Sequence, residues 1–325
     1  MSKAIVVQST GGPEVLVWQE QEVGAPGPGE ARVRHTKVGL NFIDIYFRKG
    51  IYPVPGFPFC PGQEAAGIVE EVGPGVSVVK PGDRVAYVSR GLGAYSEVRT
   101  LPAEALVQIP EGVDDETAAA MMLKGMTAQY LLLQTRPIGK GETILFHAAA
   151  GGVGLIACQW ARHLGARVIG TVGSDEKVEL ARAHGCDEVI HYGREDVVAR
   201  VRELTKGKGV PVVYDGVGQA TFEASLDCLS PRGLLVMFGQ SSGKVPPFDI
   251  TRLSAKGSLF LTRPVIFTHI ATRAALESTA ASLFEIVRQG AVKIEIHQRF
   301  VLSDAAQAHR ELEARRTSGS SVFTV

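Results

Sequence analysis

What the chain lacks narrows its class first. Its 325 residues hold only four cysteines, Cys60, Cys158, Cys186 and Cys228, and no C-x-x-C pair. Isolated thiols of this kind exclude a disulfide framework and read as reduced and mostly buried. Net charge is also missing: Lys+Arg and Asp+Glu are both 34. That balance gives no global attraction for nucleic acid or an anionic membrane. No apolar run reaches about 18 residues, so no membrane span is expected. The opening "MSKAIVVQ" has no long secretory apolar segment, which predicts a cytoplasmic protein. The eight histidines form no H-x-x-x-H pair and no cluster with cysteine, and no serine–histidine arrangement is evident.

What is present is a chain too long for one comfortable core, with 45% hydrophobic residues, so two domains are expected. Residues 1 to about 110 read as short strands, "KAIVVQ", "ARVRHTKV", "AAGIVEEVG", "DRVAYV" and "ALVQIP". Glycine- and proline-rich turns such as "GAPGPGE" and "KPGD" separate them, which predicts a small antiparallel barrel or sandwich. Residues 117–133 turn helical. From 142 onward strands and helices alternate: "TILFH", "RVIGTV", "EVI", "VVYD", "LLVMF" and "SLFLT" are the strands, with helical patterns in the first four gaps. Alternation of this kind predicts a parallel, doubly wound sheet in the order 3-2-1-4-5-6. The tail, a long helix over "RAALESTAASLFEIVRQG" and a last strand "SSVFTV", is expected to close back onto the first half.

The stretch "AAAGGVGLIACQ" follows "TILFH" and opens a helix. G-x-G-x-x-G maps onto Ala149, Gly151 and Gly154, with alanine in the first position. The triplet alone is a weak signal, but the strand before it, the helix after it and the next strand complete a dinucleotide-binding unit. Gly151 would admit a pyrophosphate to the backbone, Gly154 would let helix and strand approach, and the helix N-terminus would face the anion. An NAD site keeps a carboxylate about 20 residues later. Here Val172 and Gly173 stand in its place, Asp175 comes late as a helix-start charge, and Ser174 and Lys177 offer a hydroxyl and a cation suited to a 2′-phosphate. The pattern predicts NADPH. "DGVG" (215–218) and "FGQSSG" (238–243) follow later strands, where a cofactor would run past.

With these segments in place, the chain resembles the zeta-crystallin-like NADPH:quinone oxidoreductases of the medium-chain dehydrogenase/reductase superfamily. The carriers run nearly end to end: "GGPEVL", "VGLNFIDIYFRKGIYP", "PGQEAAGIVEEVG", "KPGDRVAY", "LGAYSE", "LKGMTAQYLL", "FHAAAGGVGLIACQWA", "VVYDGVG" and "GSLFLTRP". The resemblance implies an α/β protein whose Rossmann domain (126–262) is inserted into a GroES-like, mostly-β barrel domain (1–125 plus 263–325). It also implies an active site in the cleft between the domains and a homodimer through the nucleotide-binding domains. Zinc-dependent members carry a cysteine ligand after an early strand and a histidine in G-H-E. Here those positions read Asn41 and, in "GQE", Gln63, and the four-cysteine structural zinc lobe is absent. Amides are poor zinc ligands beside thiolate and imidazole, so no zinc is expected.

Without a Lewis acid the acceptor must take hydride unaided, which suits a quinone, since it gains aromaticity on reduction. The resemblance assigns Asn41, Tyr46 and Tyr52 to the substrate cleft. Asn41 would donate to a carbonyl oxygen or hold the cofactor ribose, and the tyrosines would wall a flat ring. It assigns Gly152, Val153, Gly173, Ser174, Lys177, Tyr192, Phe238 and Gly239 to the cofactor. Thr127 joins them from the "KGMTAQ" helix, and Arg263 and Arg315 as further cations. An NADPH-dependent alkenal or enone reductase is an alternative with the same cofactor half. An NADPH-binding protein with a structural or RNA-binding role is another, and the neutral charge without a basic run counts against it.

Overall fold

The computed structural model describes residues 2–325. The chain opens with β1 (Ser2–Val6), β2 (Val17–Gln21) and β3 (Glu30–Leu40), then α1 (Phe42–Arg48), β4 (Glu64–Val72), β5 (Arg84–Val88), β6 (Val98–Pro102) and β7 (Leu106–Gln108). After α2 (Asp115–Tyr130) come β8 (Thr143–Phe146), α3 (Gly152–His163), β9 (Arg167–Val172), α4 (Asp175–Ala183) and β10 (Glu188–His191). Next are α5 (Val197–Leu204), β11 (Val210–Asp215), α6 (Phe222–Cys228), β12 (Leu229–Met237), α7 (Thr251–Ala255) and β13 (Phe260–Thr262). The chain ends with α8 (Ile266–His269), α9 (Arg273–Arg288), β14 (Ile296–Val301), α10 (Ala305–Glu313) and β15 (Ser320–Thr324).

These elements form two compact units: Met1–Met126 with Ile270–Arg288 and Ile294–Val325, and Thr127–His269 with Gln289–Lys293. Residues 263–269 and 289–293, assigned above to the barrel domain, cluster with the second unit, and Met126, assigned to the nucleotide domain, clusters with the first.

In the first unit a seven-stranded sheet runs β14-β15-β3-β4-β5-β7, with β6 also on β3, and β1 and β2 form a separate antiparallel pair. Pairing is antiparallel except between β14 and β15. Side chains in the first half of β3 alternate between buried and less buried positions, as a half-buried strand requires. Its core joins Val33, Val38, Leu40, Val69, Val85, Tyr87, Leu101 and Phe323. Three strands escape the sequence reading: β2 and β14 have no buried residue, and in β6 only Leu101 is buried, so none carries a clear apolar signal.

In the second unit the sheet order is β10-β9-β8-β11-β12-β13, all parallel, which is the 3-2-1-4-5-6 order read from the sequence. Its central strands are apolar on both faces because helices cover both. Leu145, Ile169, Ile190, Val213, Leu226 and Leu235 build this core. Among the described residues no helix is long and apolar enough to cross a membrane.

Candidate active site

In the nucleotide unit the turn after β8 starts from Ala148 in the left-handed region at φ 55°. Ala149 is fully buried and its N–H donates to Thr171 O on β9 at 3.0 Å. The conformational demand thus falls on residue 148, and Ala149 sits at the first motif position without strain. Space for its methyl comes from the neighbouring strand, where a Cβ on Gly170 would stand 2.7 Å from Ala149 Cβ. Gly151 is the N-cap of α3, and Gly152 and Val153 form its first turn, whose N–H groups have no acceptor within the helix. Gly154 is obligatory by contact, because a Cβ there would lie 2.6 Å from Ala149 O.

At the end of β9, Gly173 lies under Tyr192, whose ring carbon would be 2.6 Å from an added Cβ. Tyr192 is half exposed. Ser174 is the N-cap of α4, yet its hydroxyl makes no capping bond. Lys177 lies half-buried one turn into that helix. Asp175 is held by Arg194, with Nη2 to Oδ2 at 2.6 Å, consistent with its helix-start role. Phe238 follows β12, its ring tilted against Phe146 at 5.6 Å, and Gly239 O accepts from Arg263 Nη1 at 3.1 Å. Thr127 is buried in α2, and its side chain hydrogen-bonds the Tyr130 hydroxyl, whose pKa is pushed up by burial. Arg315 is exposed, takes φ 59° just past α10, and belongs to the barrel unit.

Beneath the turn runs a polar network absent from the sequence reading. Asp215, fully buried at the end of β11, accepts from Val217 N (2.7 Å), Gly218 N (3.0 Å), Thr221 Oγ1 (2.7 Å) and Ser225 Oγ (2.7 Å). The single Ser225 proton goes to Asp215, so Ser225 Oγ accepts from His147 Nε2–H at 3.0 Å, and His147 Nδ1 accepts from Thr171 Oγ1–H at 3.0 Å. Burial lowers the His147 pKa, which keeps the ring neutral, as this pattern demands. The network ties β8, β9, β11 and α6 together behind the glycine turn.

The barrel unit carries the other group. Asn41 is buried as N-cap of α1, and its N–H donates to Asp44 Oδ2 at 2.9 Å. Its Nδ2 donates to Glu64 Oε2 at 2.6 Å. Fully buried Glu64 also accepts from Leu123 N at 2.6 Å and Lys124 Nζ at 3.4 Å. Tyr46 and Tyr52 meet edge-on at 5.2 Å, joined by Phe42 and Phe47, and form one aromatic wall. Asn41, Tyr46 and Tyr52 are therefore gathered around a single short helix. Burial raises the Asp44 pKa to about 7, against the lowering effect of the Asn41 N–H, Tyr95 and Lys124.

The position where zinc members hold a histidine is filled differently. Gln63 Nε2 donates to Ser89 O at 2.9 Å and Arg90 O at 3.0 Å. Its Oε1 is buried without a partner. Asn41 and Gln63 thus use their amide nitrogens on protein acceptors, and neither supplies a thiolate or imidazole. This donor set does not suit zinc.

Residues 152–278 match the family model described as zinc-binding dehydrogenase, and residues 27–111 match the alcohol dehydrogenase GroES-like domain. The quinone oxidoreductase of Pseudomonas aeruginosa is 56% identical over 99% of both chains. A 2-haloacrylate reductase from Burkholderia is 47% identical over 99% of both. The solved Escherichia coli quinone oxidoreductase complexed with NADPH superposes with a TM-score of 0.98 at 47% identity, covering 99% of this chain and 100% of that one. Identity of this extent over whole chains, on the fold and glycine turn described, settles the family: the chain belongs to the quinone oxidoreductases of the medium-chain dehydrogenase/reductase superfamily.

Proposed function

We propose that the protein reduces small quinones with NADPH and without zinc. The observation that carries this is the polar centre of the barrel unit, where Asn41 and Gln63 are bonded to protein acceptors in place of metal ligands. Bound NADPH supplies a hydride to the acceptor. The N-terminal turn of α3, from Gly151 to Gly154, holds the pyrophosphate. Ser174, Lys177 and Tyr192 receive the 2′-phosphate, where no acidic side chain repels it. Phe238, Gly239, Arg263 and Thr127 line the rest of the cofactor path, and Arg315 adds a cation. Asn41 orients the reacting groups, and the ring wall of Tyr46 and Tyr52 holds a flat acceptor. Alignment of donor and acceptor is the main contribution asked of the protein. The hydroquinone oxygens take protons from solvent.

The name of the Burkholderia relative favours one second reading, reduction of an activated alkene on the same cofactor half. A homodimer through the nucleotide units is supported by β13, the edge strand of that sheet, which leaves Phe260 56% and Leu261 36% exposed. The test is steady-state NADPH oxidation against para-quinones, enones, 2-haloacrylate and alcohols. Turnover with para-quinones above the rest supports the reading, and turnover confined to alkenes or alcohols overturns it.

A further inference from the structure

Two buried carboxylates converge on one residue. Glu64 takes the side-chain amide of Asn41 and Asp44 takes its backbone N–H. Neither arrangement is incidental. A carboxylate only accepts, so the Asn41 atom facing Glu64 is its nitrogen, and the amide is oriented by that bond. The strand before it makes room for the carboxylate, because a Cβ on Gly39 would lie 2.6 Å from Glu64 Cδ and 2.5 Å from Ala119 O.

Asp44 stands at the end of a directed chain of donors. Arg48 is fully buried and can only donate, so His309 Nδ1 accepts from Arg48 Nη1 at 3.0 Å. Burial, reinforced by Arg48, lowers the His309 pKa to about 3, so the ring is neutral and its one proton sits on Nε2. Nε2–H then donates to Tyr95 Oη at 3.0 Å, and Tyr95 O–H donates to Asp44 Oδ2 at 3.0 Å. Glu313 anchors the far end through Arg48 Nη2 at 2.7 Å. Both donors that Asp44 receives, the Tyr95 hydroxyl and the Asn41 N–H, reach Oδ2, and Asp44 Oδ1 is buried with no partner.

We propose that Glu64 and Asp44 are the positioning residues of the hydride-transfer site, Glu64 fixing the amide of Asn41 and Asp44 its backbone, both acting through Asn41. The proposal rests on the function proposed above. The charged and titratable groups facing Asp44 are Tyr95, Lys124 and Glu64, with His309 and Arg48 behind Tyr95. When Asp44 ionises, the Asn41 N–H gains a charged acceptor, so the anchor tightens as pH rises through neutrality.

Asn41 is the only asparagine in the chain, so ¹⁵N-asparagine labelling gives one backbone and one side-chain amide signal. In the wild-type holoenzyme the backbone signal should titrate near pH 7. Asp44→Ala should abolish that titration, and Tyr95→Phe, by removing one donor to the carboxylate, should raise its midpoint by about one unit. Glu64→Gln should shift the side-chain signal and keep it protected from exchange, and Glu64→Ala should lose the protection. With 1,4-benzoquinone, Glu64→Ala should lower kcat/KM about tenfold or more. It should lower kcat/KM little further when Asn41→Ala is already present. A backbone signal that titrates equally in Asp44→Ala, or losses that multiply in the double variant, overturns the positioning roles. If the wild type fails to reduce benzoquinone, the functional reading fails, and the two amide signals still decide the positioning roles.

Discussion

Two fully buried aspartates, one in each unit, are satisfied to very different degrees. Asp215 in the nucleotide unit receives four donors, two on each carboxylate oxygen. Asp44 in the barrel unit receives two donors on one oxygen and none on the other. A carboxylate surrounded by donors is a fixed strut, since every lone pair it could offer a ligand is already used. A carboxylate with a bare buried oxygen carries an unmet demand, and burial answers it by raising the pKa of Asp44 to about 7. The nucleotide unit is thus built to hold one geometry, and the polar centre of the barrel unit to respond to protonation.

The largest effect should come from breaking the strut. Asp215→Ala leaves two backbone N–H groups and two hydroxyls without their acceptor. It should cost about 3 kcal/mol or more of stability, read from urea unfolding. The same loss from Asp44→Asn would erase the comparison.

Next in size is the cofactor contact proposed for Lys177. Lys177→Ala should weaken NADPH binding about tenfold or more and NADH binding little, because only NADPH carries the 2′-phosphate. Fluorescence titration with both cofactors measures the ratio. Equal weakening would remove Lys177 from the phosphate site.

A smaller effect separates the two aspartates by pH. The folded-state pKa of Asp44 is raised to about 7 from an ordinary 3.8, so the folded protein holds a proton in that interval that the unfolded chain lacks. The stability this gives is fully present below about pH 4 and is lost as pH rises through about 7. Unfolding free energies measured across that window should fall less steeply in Asp44→Asn than in the wild type. Parallel curves would mean that Asp44 does not titrate there.

The smallest effect is expected at Tyr52. Tyr52→Phe keeps the ring that meets Tyr46 and Phe47 and removes only a hydroxyl, so turnover with a para-quinone should fall less than about tenfold. A general acid typically contributes about 100-fold or more. A loss of that size with normal NADPH binding would make Tyr52 a proton donor and favour the alkene-reductase reading.

The nucleotide unit was the more legible of the two in sequence. Strand order, the turn at 148–154 and the absent ribose acid all follow from local pattern, because backbone geometry demands glycine or small residues at fixed spacings. Even the alanine at 149 has a local reading once Gly170 is seen beside it. The Asp215–Ser225–His147–Thr171 network was not legible, since four separate elements bring its members together. In the barrel unit the departures at Asn41 and Gln63 stood out only against the family pattern. Glu64 was visible inside "GQE", and Arg48 inside an aromatic helix, but neither residue's burial nor its partner shows in the sequence. His309 lies 261 residues from the arginine whose proton it accepts. Strands β2, β6 and β14 were missed because their mostly exposed or half-buried side chains carry no clear apolar signal.

The central claim is that the barrel unit's amide centre supports hydride transfer to a quinone without metal. The most direct test is NADPH oxidation by a small para-quinone, before and after exhaustive chelation, with elemental analysis of the same sample. The account predicts unchanged turnover and no stoichiometric zinc. Turnover that disappears with chelation and returns on adding zinc would contradict it.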